Sequence, residues 1–301
     1  MKEDKPLISF ILITYNQENF VKDALDGAFS QTYSPMEIII ADDGSKDKTP
    51  YVIEQTIAEY KGPHKVVFHR GSPNVGIAQN LNNAMALAKG EYFILAAGDD
   101  KSLPERAQRT YELFSQYPDL TCINFRSIPC NTGLKPLVQK QVASNSVSII
   151  NIYDYIDISD FVIWSGDARS IRRSLYDIFG PFVKGQDEDS TLFMRGLLTG
   201  TVGHAQECMS MRRTHDQQVS NFKNIRKHVT EDFIGQPMLD IEIALQKEMI
   251  SKRTASEMRW KVCHADKILA DQYYKAVSTW YRILYANPVN LLRRIKNKIF
   301  A

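Results

Sequence analysis

The sequence has little net charge and few cysteines. Of its 301 residues, 37 are Lys or Arg and 35 are Asp or Glu, so the formal net charge is +2. A balance so close to neutral creates no global field that would attract nucleic acid, and we expect no nucleic-acid partner. Hydrophobic residues make up 44% and charged residues 24%, which is ordinary for a globular protein with a sizeable core.

The sequence also lacks paired cysteines and long apolar runs. Cys122, Cys130, Cys208 and Cys263 are far apart and show no CxxC or metal-finger spacing. We therefore expect reduced thiols in a cytoplasmic protein. The apolar run Leu7–Thr14 is too short for a membrane span and lacks the small-residue cleavage site of a signal peptide. No other segment approaches the length of about 18 apolar residues that a span needs.

Apolar runs of strand length alternate with segments of helical periodicity in the first third of the chain. Because strands joined by helices pair in parallel, we expect an α/β fold with a Rossmann-like, mostly parallel sheet flanked by helices. Ligands bind such sheets at the carboxyl ends of the strands. The predicted strands are Leu7–Thr14, Glu37–Ala41, Lys65–His69 and Tyr92–Leu95, and the predicted helices are Glu18–Phe29, Thr49–Tyr60 and Ile77–Ala88.

The pattern is less regular beyond Pro104. A helix is predicted over Glu105–Ser115 and a strand over Leu120–Phe125, followed by irregular chain over residues 126–160. The segment SIRRSLYDIFGPF predicts a helix that ends near Gly180, and DEDSTLFMRGLLTG predicts another.

Three polar clusters, TYNQE, DDGS and GDD, fall at the ends of predicted strands. In the last cluster Asp99 and Asp100 follow an apolar strand, where adjacent carboxylates repel each other and resist dehydration. Such a pair can hold a divalent cation, whose charge would cancel the repulsion, or bind ribose hydroxyls. The alternative is a turn with two solvated acids, and Asp42 and Asp43 could likewise be helix caps.

Taken in order, the motifs resemble the inverting nucleotide-sugar glycosyltransferases of family 2, which have the A-type glycosyltransferase (GT-A) fold. The resemblance extends from residue 7 to about residue 220. One such motif would be weak evidence, whereas this many in family order are strong. The motifs are Thr14-Tyr15-Asn16, Gln31-Thr32-Tyr33, EIIIADDGSKDKT, NVGIAQNLNNAMALAKGEYF, Gly98-Asp99-Asp100, RRSLYDIFGPF, EDSTLFMR and RRTHDQQVS.

The resemblance implies a nucleotide-sugar donor, with UDP favoured, and a cofactor, Mn²⁺ or Mg²⁺. The metal would be held by Asp99, Asp100 and His215, although which of the two aspartates binds it is left open. Many relatives have Asp where Ala97 stands and Arg where Leu81 stands, so this chain offers fewer metal ligands and one cationic contact less. The nucleotide-binding residues implied by the resemblance are Thr14, Tyr15, Asn16, Glu18, Asp43, Asn74, Gly76, Asn82 and Asp99.

Inversion requires a group that accepts the proton of the acceptor hydroxyl. The resemblance assigns this role to Asp189, with Glu188 orienting Asp189 or contacting the acceptor. On the residues alone, acids that precede a helix are equally well explained as caps that compensate the helix dipole. Asp187, two residues before Asp189, could also be confused with the base.

The acceptor is expected to be a saccharide or a lipid-linked saccharide. We assign its contacts to Trp164, Ser165 and Gly166, although a core position is an equal alternative for this tryptophan. The C-terminal tail NLLRRIKNKIF is either a solvated basic helix face or an interfacial helix that reaches anionic lipid. A lipid-linked acceptor would make the second interpretation useful, and it would place a cytoplasmic protein at the inner face of the membrane.

We expect a nucleotide-sugar-binding half (residues 1–104), an acceptor-binding half of the same catalytic domain (105–225) and a helical C-terminal region (226–301). The resemblance implies a metal-dependent inverting hexosyl- or N-acetylhexosaminyl-transferase that acts in bacterial surface polysaccharide synthesis. A nucleotidyltransferase is an alternative, but TYNQENF lacks the glycines of a phosphate-binding loop. A nucleotide-sugar-binding protein without turnover is the other alternative, and the position of Asp189 discriminates it from an enzyme.

Overall fold

The computed structural model describes the chain over residues 5–138, 145–157, 168–183, 188–215 and 232–262. The strands are β1 (Ile8–Thr14), β2 (Met36–Asp42), β3 (Lys65–Arg70), β4 (Tyr92–Ala97), β5 (Lys101–Ser102), β6 (Leu120–Cys130), β7 (Val147–Ile150), β8 (Arg169–Arg172) and β9 (Thr201–Arg213). The helices are α1 (Val21–Phe29), α2 (Thr49–Glu59), α3 (Ile77–Leu87), α4 (Arg106–Gln116), α5 (Ile152–Asp157), α6 (Ser174–Phe179), α7 (Glu188–Thr199) and α8 (Asp232–Gln246). Residues 252–262 are also helical.

All the strands of the described part join one sheet of nine strands, in the order β3-β2-β1-β4-β8-β6-β9-β5, with β7 paired to β9. Strands β1 to β4 are parallel to their neighbours in this group. Strand β8 is antiparallel to both β4 and β6, whereas β6 and β9 run parallel. The predicted α/β fold, with a central sheet flanked by helices, is confirmed.

The sheet is buried on both faces. Successive residues of a strand point to opposite faces, so Ile11 and Ile39 pack with α3 and α7, whereas Phe10 and Ile38 pack with α1 and α4. All four side chains are fully buried. This two-sided burial explains why β1 and β2 are continuous apolar runs rather than alternating ones.

The beginnings of the helices follow local chemistry. Helix α2 has Pro50 in its first turn. Backbone N–H groups there have no acceptor within the helix, so the proline, which lacks an N–H, costs no hydrogen bond. Helix α3 follows Gly76, whose φ of 86° lies in the region that favours glycine. Its buried face includes Leu81 and Met85, one helical turn apart.

The second half differs from the prediction in three places. Residues 126–160, predicted as irregular, contain the end of β6, the strand β7 and the helix α5. Residues 170–172, predicted as the start of a helix, belong to β8, because strands on both sides supply hydrogen-bonding partners that override local propensity. Strand β9 was not predicted, since its polar sequence lacks an apolar run, but it pairs with β5, β6 and β7.

Cys122, Cys130 and Cys208 are free thiols, as expected. In the described part of the chain, no helix combines the length and the hydropathy needed to cross a membrane. The predictions for Cys263, Asp187, Trp164, Ser165, Gly166 and the basic tail concern residues that lie outside the described ranges.

Candidate active site

The loops that follow β1 and β2 are hydrogen-bonded to each other. The Asp43 N–H donates to the Thr14 carbonyl at 2.9 Å. Asn16 has a φ of 52° and joins the loops in both directions: its N–H donates to Ser45 Oγ, and its Oδ1 accepts from the Lys46 N–H, each at 2.8 Å. The predicted nucleotide-binding residues Thr14, Asn16 and Asp43 therefore lie at one edge of the sheet.

Glu18 extends the same connection toward α2. Its N–H donates to Asp47 Oδ2 at 3.1 Å, and its Oε2 accepts from the Lys48 N–H at 2.8 Å. The side chain of Tyr15 is 41% exposed at this edge, so its ring is accessible.

Asp43 shapes the turn that leads into α3. Its two carboxylate oxygens accept from the Val75 N–H at 2.8 Å and the Gly76 N–H at 2.9 Å. Burial raises the pKa of Asp43, the two backbone donors oppose that rise, and the neighbouring Asp42 adds to it. Asn74, another predicted nucleotide contact, is exposed in this turn.

Asn82, another predicted nucleotide contact, is hydrogen-bonded to the backbone of Phe182. Its Nδ2 donates to the Phe182 carbonyl and its Oδ1 accepts from the Phe182 N–H, both at 2.9 Å. Because the side chain is buried and both ends of its amide bond the Phe182 backbone, Asn82 links α3 to the segment before α7.

The adjacent acids Asp99 and Asp100 each have a partner from the end of β9. Pairing of β5 with β9 brings residues 213–215 beside the turn after β4. His215 Nε2 lies 3.0 Å from Asp99 Oδ2, and the Arg213 N–H donates to Asp100 Oδ1 at 2.8 Å. The structure thus places His215 beside Asp99 and the Arg213 backbone beside Asp100.

Sequence reasoning missed the aromatic support beneath these residues. The Phe20 ring lies 4.8 Å from the His215 ring and 4.6 Å from the Arg213 guanidinium carbon. The fully buried Arg213 also donates from Nη2 to Asp23 Oδ2 at 2.7 Å. Since about 190 positions separate Arg213 from α1, no local pattern in the sequence indicates this contact.

Asp99 and His215 fit a divalent metal by the chemistry of their donor atoms. Mn²⁺ accepts carboxylate oxygen and imidazole nitrogen, whereas Mg²⁺ prefers oxygen alone. Within the described ranges, no three His, Cys, Asp or Glu side chains form a preformed metal cluster. A metal at this position would consequently depend on further oxygen ligands from water or from a bound molecule.

Asp189 and Glu188 occupy the first turn of α7. The Asp189 side chain is 43% exposed, whereas Arg169 behind it is completely buried. Arg169 Nη1 lies 3.3 Å from Asp189 Oδ1 and also donates to the Asp189 carbonyl. One oxygen of the Asp189 carboxylate therefore lies beside a buried cation, while solvent can still reach the carboxylate. The Arg169 charge also affects the nearby Cys122 thiol, whose pKa burial raises to about 11 against the opposing effect of that charge.

Arg169 belongs to the same sheet edge as Asp99. Strand β8 pairs with β4 so that Ser170 faces Ile94, which places Arg169 beside the carboxyl end of β4. Arg106 Nη2 joins the two strands there, donating to the Leu95 carbonyl at 2.7 Å and to the Arg169 carbonyl at 3.0 Å.

A buried ion pair supports the segment that precedes α7. Arg195 Nε donates to Asp240 Oδ2 at 2.8 Å, and both side chains are fully inaccessible to solvent. Arg195 Nη1 also donates to the Gly180 carbonyl at 2.8 Å. Burial raises the pKa of Asp240, and Arg195 acts in the opposite direction. Helix α8 is thereby tied to α7, the helix that begins with Glu188 and Asp189.

Two relatives share part of this sequence. An uncharacterized glycosyltransferase of Rickettsia typhi is 29% identical over 224 residues, which cover 72% of this chain and 66% of the relative. An uncharacterized protein of Mycobacterium bovis is 34% identical over 116 residues, or 38% of this chain. The matched part spans only 33% of that mycobacterial relative.

Two solved structures resemble the fold. Staphylococcus aureus TarS 1–349, in complex with UDP-GlcNAc, has a TM-score of 0.64 at 15% identity, covering 87% of this chain and 72% of that one. The mannosyltransferase PcManGT of Pyrobaculum calidifontis, in complex with GDP-Man and Mn²⁺, has a TM-score of 0.56 at 16% identity. The match covers 95% of this chain and 80% of that one.

The model of the family "Glycosyl transferase family 2" matches residues 9–179, which is more than half of the chain. The chain belongs to glycosyl transferase family 2 and has the GT-A fold.

Proposed function

We propose that this protein transfers a sugar from a nucleotide-diphosphate sugar to an acceptor hydroxyl with inversion, using Asp189 as the general base. One observation carries the proposal. Asp189 is half-exposed and is held by Arg169 at the carboxyl end of β4, the strand that leads into Asp99 and Asp100. The donor-side acids and the candidate base therefore share one edge of the sheet.

A UDP-sugar is the proposed donor. TarS, which shares the fold, is seen with UDP-GlcNAc and with UDP, whereas PcManGT is seen with GDP-Man. Both hexosyl and N-acetylhexosaminyl donors consequently need testing. The exposed ring of Tyr15 offers a surface for a nucleotide base, next to Thr14 and Asn16. Asn74 and Gly76 are the proposed contacts from the opposite loop.

Asp99 and His215 are the proposed protein ligands of Mn²⁺ or Mg²⁺. Asp99 contacts the imidazole directly, whereas an oxygen of Asp100 accepts the Arg213 N–H, and this difference favours Asp99 as the metal ligand. When bound, the cation would neutralise charge on the departing nucleotide diphosphate. Asp100 would keep the turn attached to β9.

The exposed position of Asp189 supports the following proposed chemical step. The acceptor hydroxyl loses its proton to the Asp189 carboxylate while its oxygen attacks the anomeric carbon from the face opposite the nucleotide. The bond from the anomeric carbon to the diphosphate breaks, so the configuration inverts. Glu188 would orient Asp189 or the acceptor. We propose surface polysaccharide synthesis as the setting and a saccharide or lipid-linked saccharide as the acceptor.

A donor panel tests the proposal. Purified protein would be incubated with Mn²⁺ and UDP-glucose, UDP-galactose, UDP-GlcNAc, UDP-GalNAc or GDP-mannose, and released nucleotide measured with water as the acceptor. In parallel, UDP at about 100 times its dissociation constant should stabilise the fold by about 2.7 kcal/mol, and less with a chelator present. If no donor is hydrolysed and no nucleotide stabilises the protein, the proposal is overturned. Stabilisation without hydrolysis would favour a binding protein without turnover.

A further inference from the structure

We propose that Arg169 is the positioning residue of Asp189, and that Arg106 fixes its position relative to the turn that carries Asp99 and Asp100. This inference rests on the proposed function, because it concerns the placement of the proposed base. Two buried arginines, Arg169 on β8 and Arg106 at the start of α4, thus set the geometry between the donor side and the acceptor side of the site.

The burial of Arg169 is the first argument. Its side chain has no exposed surface, and a cation taken out of water is strongly destabilising unless it is paired and hydrogen-bonded. Its Nε donates to the buried Asn124 Oδ1 at 2.8 Å, which fixes the plane of the guanidinium. Its Nη1 then meets both the carbonyl and a carboxylate oxygen of Asp189.

The exposure of Asp189 is the second argument. A carboxylate that is 43% exposed would ordinarily sample several rotamers in solvent. Contacts from one rigid donor to both its main chain and its side chain restrict that freedom. The carboxylate nevertheless remains partly exposed to solvent.

Arg106 connects this pair to the donor side. Its Nη1 donates to Ser102 Oγ at 2.9 Å, and its Nη2 donates to the carbonyls of Leu95 and Arg169. Leu95 and Ser102 flank the turn that contains the two acids. Since Arg106 is fully buried, the separation between Asp189 and this turn is set by core contacts rather than by loops.

A positioning residue should affect turnover more than donor binding. Displacement of a reacting group by about 1 Å can lower a rate by about 10²-fold. Arg169→Met should therefore lower kcat for hydrolysis of the best UDP-sugar by about 10–100-fold and change the donor KM by less than about threefold. Arg169→Lys, which keeps a cation, should recover part of the loss.

A double-mutant cycle separates positioning from general structural damage. If Arg169 acts through Asp189, Arg169→Met should lower kcat by less than about threefold in an Asp189→Asn background. Arg172→Met is the matched control, because Arg172 lies on the same strand and donates to the carbonyls of Leu120 and Phe114 instead of to Asp189. Its effect on kcat should be small and should be the same in both backgrounds.

Melting temperatures give a reading that does not depend on activity. The decrease caused by Asp189→Ala should be smaller in an Arg169→Met background than in the wild type, since the contact is already absent. If Arg169→Met fails to fold, Arg169→Lys replaces it in both cycles and should show an intermediate effect.

The outcomes distinguish the two proposals. Normal turnover by Asp189→Asn would overturn the assignment of the base, and with it the proposed mechanism. An inactive Asp189→Asn beside a fully active Arg169→Met would overturn only the role of Arg169. Equal losses of kcat from Arg169→Met in both backgrounds would likewise show that Arg169 does not act through Asp189. Additive decreases in melting temperature for the two substitutions would show the same.

Discussion

His215 Nε2 lies 3.0 Å from Asp99 Oδ2, although the two residues are 116 positions apart in the chain. The contact joins the end of β9 to the turn after β4. Both side chains are nearly buried, with exposed fractions of 8% and 13%. The proposed donor side of the site therefore depends on two distant parts of the chain.

Removal of this imidazole should weaken metal binding. We expect His215→Ala to lower the apparent affinity for Mn²⁺ in the presence of UDP by at least about 10–100-fold, because removing even a residue that only supports a metal ligand typically costs that much. The measurement is the difference in melting temperature between UDP with Mn²⁺ and UDP with chelator, across a metal titration. His69→Ala, on the edge strand β3, is the control and should leave the titration unchanged. An unaltered Mn²⁺ titration in His215→Ala would contradict this assignment.

The stability contribution of Asp43 should depend on pH. Burial raises its folded-state pKa above the ordinary value of 3.8, so the protonated form is favoured by folding. This contribution is fully present below the unfolded pKa and is lost as the pH rises through the folded pKa. Relative to the wild type, Asp43→Asn should therefore gain stability as the pH rises from acid to neutral. Urea unfolding at several pH values measures the difference, and a difference that is constant with pH would refute the prediction.

The buried pair Arg195–Asp240 should be important for folding. Removing one partner of a fully buried ion pair leaves an uncompensated charge, so Arg195→Met should lower the free energy of unfolding by about 3–5 kcal/mol. The exposed pair Arg253–Glu257 offers a control, since Arg253→Met should cost less than about 1 kcal/mol. Denaturant unfolding of both variants provides the comparison. Equal effects would mean that α8 does not stabilise α7 through this pair.

The first half of the fold could be predicted because its local signals agree. Strands β1 and β2 are buried on both faces, so they appear in the sequence as continuous apolar runs. The second half gave weaker signals. Strand β8 begins and ends with arginine, and β9 contains many polar and half-buried positions, so both owe their conformation to neighbouring strands.

The site likewise has features that the sequence predicts and features that it does not. Parallel strands bring their carboxyl ends to one edge, so the convergence of the loops around Thr14, Asp43 and Asp99 followed from the strand pattern. The proximity of His215 to Asp99 was implied only by family resemblance. The burial of Arg169 and Arg106 had no sequence signal, because arginine is usually exposed and its pairing depends on distant residues.

Asp189→Asn tests the central claim most directly. The amide keeps the size of the side chain but cannot accept a proton, so we expect turnover of the best UDP-sugar to fall by about 10²–10⁴-fold. UDP affinity should change by less than about threefold, because the residue acts on the acceptor side. Asp177→Asn, an exposed acid of α6, should retain normal turnover. A large loss confined to Asp189→Asn would support the account, and near-normal turnover by that variant would contradict it.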